Sequence, residues 1–112
     1  IIDFAALTAK VKWMVRKGLE AMIALDSQTA REVCNSDDEV DEQFRLIKEK
    51  VISELEKGNA NVRALITELT ISDYMESIAD HAKKICEDVV YTVDADVIRH
   101  SSQADTPKNL SS

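Results

Sequence analysis

The sequence predicts an all-α protein that folds as a three-helix up-down-up bundle. The chain has 112 residues, one domain's worth, of which 45% are apolar and 31% are charged. It contains only two Gly and one Pro, too few to form the turns of a β-sandwich or barrel. Apolar residues recur along most of the chain at the alternating three- and four-residue spacing of packed helices.

The first predicted helix covers residues 2–25. Its apolar positions follow a single seam, which stops where Asp26 and Ser27 offer good N-cap residues for the next helix. We therefore place the first chain reversal there. The seam consists of Phe4, Leu7, Val11, Met14, Gly18, Ala21 and Leu25.

The second predicted helix covers residues 28–57. Ser36-Asp37-Asp38-Glu39 has the pattern of a capping box and is an alternative place for a break. The apolar seam runs through this segment without interruption, so we predict one helix that ends before Gly58, a residue typical of helix C-termini. The seam consists of Ala30, Val33, Asp37, Val40, Phe44, Ile47, Val51 and Leu55.

The third predicted helix covers residues 60–95 and carries two apolar faces. One face is Ile71, Met75, Ile78, Ala82, Ile85 and Val89; the other is Val62, Leu65, Ile66 and Leu69. One bundle should leave part of this surface exposed, which predicts a homodimer or higher oligomer. The bundle is predicted to occupy residues 1–100, and residues 101–112, which lack periodicity, to form a disordered tail.

Composition also excludes several classes of function. Twenty-one acidic against fourteen basic residues give a net charge of −7, which disfavours nucleic-acid binding. No apolar run approaches the ~18–20 residues of a membrane span. The two cysteines fit neither a redox nor a zinc spacing, which favours a reducing, cytoplasmic setting. The chain lacks a phosphate-binding Gly-rich loop and a nucleophile elbow, so we predict no catalytic residue and no enzyme activity.

The strongest local feature is a group of acids that begins in the second apolar seam: Asp37, Asp38, Glu39, Asp41 and Glu42. If helix two folds back on helix three at Gly58, Asp37 comes level with Asp80 and Asp41 with Glu76. Four carboxylates at one height repel each other unless a cation or protons intervene. Carboxylate oxygens suit iron, manganese, magnesium or calcium.

A different arrangement of the same acids remains open. Folding helix one against helix two brings Lys12 level with Asp41 and Arg16 level with Asp37, so these acids could pair with helix one or face solvent. No Glu lies three residues before either His, so the Glu-x-x-His signature of di-iron bundles is absent. His81 is predicted at the surface or between helices. Cys86 is predicted to be a buried thiol rather than a nucleophile.

Two segments of the chain carry recognisable motifs, AREVCNSDDEVD at 30–41 and YMESIADHAKKICE at 74–87. The first resembles the A-x-x-V…D-x-x-V-D motif and the second the LERIGDHAxNIxE motif of PhoU-domain proteins, a family that regulates bacterial phosphate uptake. NVR at 61–63 stands where the family has Asp-Leu-Arg, and VIRH at 97–100 is similar to an Arg-His repeat ending. The resemblance covers nearly the whole chain from residue 11 to 100.

The resemblance implies a PhoU-like (also spectrin-repeat-like) bundle and a non-catalytic, protein-docking role in phosphate homeostasis. It implies phosphate transporter components and the phosphate-sensing histidine kinase as partners. It also implies that iron or another divalent or trivalent metal binds here, with four carboxylates as its ligands: Asp37, Asp41, Glu76 and Asp80. We further expect the acids beside that site, Asp38 and Glu42, to bind the basic cytoplasmic loops of a transporter.

The sequence departs from the motif at Ser77, where the family has Arg, at Ala79 for Gly, and at Lys84 for Asn. Lys84 lies four residues after Asp80 and could neutralise it. Only one repeat is present, which fits half of a two-repeat protein, a self-pairing one-repeat homologue, or the cytoplasmic PhoU domain of a sodium-phosphate cotransporter. A metal-storing or metal-activating bundle with carboxylate ligands is the alternative function.

Overall fold

The computed structural model describes residues 3–58 and 61–104, with side chains as far as Ser101. These residues form four α-helices and no strand, so the all-α prediction is confirmed. The helices are α1 (Ala5–Ala24), α2 (Ser27–Asn35), α3 (Asp37–Glu56) and α4 (Val62–Ala104). None of the helices in the described ranges is both long and apolar enough to cross a bilayer.

The bundle has the predicted up-down-up arrangement. α1 runs parallel to α4, because Thr8 near the start of α1 lies 4.0 Å from the sulfur of Met75 and Gly18 packs against Cys86. The segment α2–α3 runs back along the same helix and is therefore the middle arm.

Contacts at both ends of that arm show its antiparallel direction. Arg31 of α2 bonds Asp94 at 3.0 and 3.1 Å, whereas Lys48 of α3 lies 3.6 Å from Glu76. α4 thus touches all three other helices and is the axis of the bundle. The core along it contains Leu7, Val11, Met14, Ala21, Ala30, Val33, Val40, Phe44, Ala79, Ala82, Cys86 and Val89.

The turns lie where the sequence predicts them. Leu25 adopts a left-handed conformation (φ 50°) after α1, and the Asp26 carboxylate caps α2 by accepting the Thr29 N–H at 3.1 Å. At the other end, Gly58 has φ 76°, a conformation that glycine adopts without a steric penalty.

The prediction of a single helix over 28–57 is wrong at Ser36, where α2 ends and α3 begins. The Ser36 hydroxyl donates to the Val33 carbonyl at 2.7 Å, a local bond that competes with the helical hydrogen-bond ladder. The predicted capping box does not form, because this hydroxyl points back into α2. The backbone still connects the two helices, since the Val40 N–H donates to the Ser36 carbonyl.

The predicted core face of the last helix is wrong in part. Ile71 and Ile78 are 42% and 48% exposed, whereas Ala79 and Cys86 are buried. α4 packs between two partners, α1 and the α2–α3 arm, and small side chains let both approach closely. The bulkier isoleucines consequently lie on an outer face.

The last helix is also longer than predicted, because it continues to Ala104 rather than ending near 95. At about 1.5 Å per residue it is roughly 65 Å long. Residues 101–104 are therefore helical and not part of a disordered tail. The rest of the predicted tail, 105–112, lies outside the described residues, as do the predicted helix starts at 2 and 60.

Candidate functional site

The four predicted metal ligands come together in one cavity between α3 and α4. Asp37 and Asp41 come from the N-terminal turns of α3, and Glu76 and Asp80 from the middle of α4. The antiparallel packing of α3 on α4 places both acid pairs along the same cavity. The cavity has a volume of about 320 Å³, and its lining is completed by Ser77, Ala79 and Lys83.

Asp37 is the innermost acid of the cavity, at 9% exposure. It follows Val33 in the apolar seam and therefore points toward α4. There the Lys83 ammonium donates to its carboxylate at 2.8 Å. The pKa of Lys83 is raised by this hydrogen bond and by the negative charge of Asp37.

Two more lysines hold carboxylates of the same group. The Lys84 ammonium lies 3.1 Å from the carboxylate of Asp80, which is one helical turn earlier on α4. The Lys48 ammonium of α3 lies 3.6 Å from the carboxylate of Glu76. Lys84 thus forms the ion pair with Asp80 that their four-residue spacing suggests.

The alternative pairing of these acids with helix one is not what the structure shows for Asp37. Its cation comes from Lys83 on α4 rather than from Arg16. α1 does reach the acidic group farther along, where Lys10 lies 3.9 Å from Glu39. The difference arises because Asp37 points to the α3–α4 interface, which α1 does not enter.

Asp41 is in an unfavourable electrostatic position for an ionised carboxylate. Its pKa is raised by partial burial and by the nearby carboxylate of Asp37, with a smaller effect of Glu76. Carboxylate oxygens of Asp37, Asp38 and Asp41 lie within 4.8 Å of one another. A cation or a proton at this place would relieve the repulsion.

The donors are of the kind that a hard cation binds, because carboxylate oxygens are the ligands that magnesium, calcium, manganese and ferric iron accept. Among the described residues the close group is Asp37, Asp38 and Asp41, whereas Glu76 and Asp80 line the same cavity without joining it. The charge is already largely balanced, however, since three of the four carboxylates have a lysine within 4.0 Å. The four acids and three lysines leave about one negative charge at the cavity. An incoming metal would have to compete with ammonium groups.

The residues predicted to bind a partner lie on the outer side of α3. Asp38 is exposed beside the cavity. Glu42 accepts a hydrogen bond from Arg45 at 2.9 Å, and Arg45 also pairs with Glu49. The acidic face, Asp37 to Glu42, is thus less negative than its sequence suggests.

The remaining predicted residues match the prediction made for them. His81 is exposed, and its Nδ1 bonds the Ser77 carbonyl oxygen at 2.7 Å. Cys86 is fully buried, and burial raises the pKa of its thiol to about 11, which suppresses the reactive thiolate. Cys34 is half-buried, with its pKa raised by the same cause.

Sequence reasoning missed an apolar groove between α1 and α4, on the outer face of α4. Its volume is about 370 Å³. The sequence pattern assigned Ile78 to the core, and the groove was therefore not predicted. The alternation of small residues at Ala79, Ala82 and Cys86 was the available signal that another face is buried. The groove is lined by Val15, Gly18, Tyr74, Ser77, Ile78, His81, Ala82 and Ile85.

Comparison with known families and proteins gives one consistent result. Residues 5–89 match the family model described as the PhoU domain. A phosphate-specific transport system accessory protein PhoU homolog of Clostridium acetobutylicum is 30% identical over 84 residues, covering 75% of this chain and 38% of that protein. A PhoU homolog 1 of Thermotoga maritima is 28% identical over 89 residues, covering 80% and 37%.

A further PhoU homolog, from Pseudomonas putida, is 25% identical over 91 residues, covering 81% of this chain and 36% of its own length. The chain thus spans less than two fifths of the length of these three relatives. No solved structure matches significantly.

Replacing Asp41 with Asn should raise the melting temperature of the metal-free protein at neutral pH. The raised pKa means that the ionised Asp41 carboxylate destabilises the fold, and that its protonated form does not. The gain should therefore shrink as the pH falls below the pKa of Asp41 in the folded protein. Thermal unfolding followed by circular dichroism, from acidic to neutral pH, measures it.

Asp73→Asn is the matched control, because it removes the same charge from an exposed position on α4. If both variants shift the melting temperature equally, the gain reflects net charge alone and the local repulsion at Asp41 is refuted.

Proposed function

The chain belongs to the PhoU domain family, and we propose that it is a non-catalytic regulator of phosphate uptake and phosphate homeostasis that works by protein docking. The observation that carries the proposal is the match over residues 5–89, which spans α1, α2, α3 and most of α4. The relatives are named as accessory proteins of phosphate-specific transport. By this relationship, the partners are phosphate transporter components and the phosphate-sensing histidine kinase, and the setting is the cytoplasm.

Two exposed surfaces support docking. One is the acidic face at the start of α3, where Asp38 is exposed. The other is the apolar groove between α1 and α4, where Tyr74 is 70% exposed. Cytoplasmic loops of membrane proteins are rich in Lys and Arg, so we assign the transporter contact to the acidic face through Asp38 and Glu42.

Binding to the cognate transporter components should weaken strongly with salt. Between about 50 and 500 mM the screening length falls from roughly 14 to 4 Å, which weakens attraction between exposed charges. Reversal of two charges, Asp38→Lys with Glu42→Lys, should slow association and leave helicity unchanged. Biolayer interferometry with purified transporter components and with the sensor kinase measures the association rate.

The matched control is Asp73→Lys with Asp88→Lys, which makes the same change in net charge on α4. Association that slows equally in both pairs would show only a general effect of charge. Association insensitive to salt and to both pairs would refute docking by the acidic face. Lack of binding to either partner would contradict the proposed function itself.

Cation binding by Asp37, Asp41, Glu76 and Asp80 is a second function that we propose. It is favoured by the convergence of these carboxylates on one cavity and by the raised pKa of Asp41. Their carboxylate oxygens are suitable ligands for iron or another divalent or trivalent metal. In this role the metal stabilises the bundle and takes part in no reaction.

We also propose that the chain forms a homodimer through the groove between α1 and α4. Light scattering at tens of micromolar should give about twice the chain mass of 12.5 kDa. Tyr74→Lys with Ile78→Lys should yield the monomer, because charged side chains are costly in an apolar interface. Leu46→Lys with Ile52→Lys, two exposed positions on α3, should leave the dimer intact. Observation of the 12.5 kDa species alone in the unaltered chain would contradict this proposal.

A further inference from the structure

We propose that Lys83 is the built-in counter-ion of the carboxylate cavity, and that it sets how strongly a metal cation can bind there. This inference rests on the cation site proposed above and states how its occupancy is controlled. A metal reaches its full set of ligands only after the Lys83 ammonium leaves Asp37. The unloaded protein therefore keeps a balanced site rather than four mutually repelling acids.

The geometry of Lys83 distinguishes it from the other two lysines. Its ammonium lies 2.8 Å from Asp37, the shortest of the three lysine–carboxylate distances at the cavity. The side chains of this pair are 32% and 13% exposed, whereas those of Lys84 and Asp80 are 66% and 53% exposed. Water and salt screen the exposed pair much more than the partly buried one.

Lys83 also belongs to the cavity itself. Together with the four carboxylates it lines the 320 Å³ space, whereas Lys84 and Lys48 approach their acids from outside that lining. Its positive charge acts on Asp41 as well as on Asp37. An ammonium group here thus interacts with the two α3 carboxylates that a metal would need.

Removal of Lys83 should have two opposite effects. Without metal, Lys83→Met leaves the partly buried Asp37 charge unpaired, so the melting temperature should fall. With metal, the competitor is gone, so affinity should rise. Lys83→Gln is a second variant in which an uncharged amide can still donate to Asp37, which preserves the fold while removing the charge.

The experiment titrates the full chain with MnCl2 by isothermal calorimetry at about 0.15 M salt, an ionic strength at which exposed charges are screened beyond about 8 Å. The melting temperature is recorded at the same Mn²⁺ concentrations. We expect Lys83→Met and Lys83→Gln to bind Mn²⁺ about tenfold or more tightly than the unaltered chain. Lys83→Arg retains the charge and should not gain affinity.

Lys84→Met is the matched control, since it removes the same charge from the adjacent, more exposed residue. A gain in Mn²⁺ affinity that is equal in Lys84→Met and the uncharged Lys83 variants would overturn the role of Lys83, and so would no gain in either Lys83 variant. In both cases measurable Mn²⁺ binding would leave the cation site standing. If the uncharged Lys83 variants bind no Mn²⁺, or bind it unchanged after Glu76→Gln with Asp80→Asn is added, the cation site fails and this inference fails with it.

Discussion

The close packing of α4 against the other helices is the constraint on which the structure depends. Most of the buried side chains of α4 are small, namely Ser72, Ala79, Ala82 and Cys86. On α1, a Cβ atom added at Gly18 would lie 3.4 Å from the Cys86 sulfur, so the space between the two helices at this point is no larger than one methyl group needs. Such a contact tolerates little axial sliding, because protein interiors are close-packed. The register of α4 against its neighbours is therefore fixed, and with it the height of each charged residue.

That register determines the chemistry of the acidic cavity. It places two carboxylates of α3 and two of α4 around one cavity, and it also brings Lys83 beside Asp37. Charges that are costly to desolvate alone become tolerable when they are paired and hydrogen-bonded. The bundle can thus hold four carboxylates close together, because nearby lysines keep the net charge of the site much less negative than −4. A metal cation coordinated by these carboxylate oxygens would therefore have to displace a lysine ammonium group.

The sequence predicted the features that depend on local chemistry and on periodicity. The chain reversals at Asp26 and Gly58 were predicted from capping preferences, and the seam containing Asp37 was predicted from spacing. The approach of the four acids to one region also followed from spacing, because an antiparallel hairpin of regular helices has a fixed rise per residue. The capping-box pattern at residues 36–39 indicated the break at Ser36 as an alternative, but the apolar seam favoured a single helix, since a hydroxyl that bonds the Val33 carbonyl leaves the seam continuous.

The buried face of α4 and the partner of Asp37 required the three-dimensional structure. Ile71 and Ile78 follow a helical spacing as well as the smaller buried residues do, and only the approach of two neighbouring helices selects the smaller set. Arg16 was a candidate partner of Asp37 only because the two residues were predicted to lie at the same height along the bundle. Lys83 pairs with Asp37 because both side chains point into the α3–α4 interface. Height along the bundle is readable from sequence, whereas the direction of a side chain around the helix depends on packing.

A double-mutant cycle between Asp37 and Lys83 tests this account most directly. Urea unfolding of the metal-free chain, of Asp37→Asn, of Lys83→Met and of the double variant gives the energy that couples the two side chains. We expect a favourable coupling of about 0.5–3 kcal/mol, the range for residues in direct contact. If the changes in unfolding free energy caused by the two single substitutions sum, to within about 0.5 kcal/mol, to the change in the double variant, the two side chains do not interact. That result would contradict the register of α3 on α4 and the charge balance that depends on it.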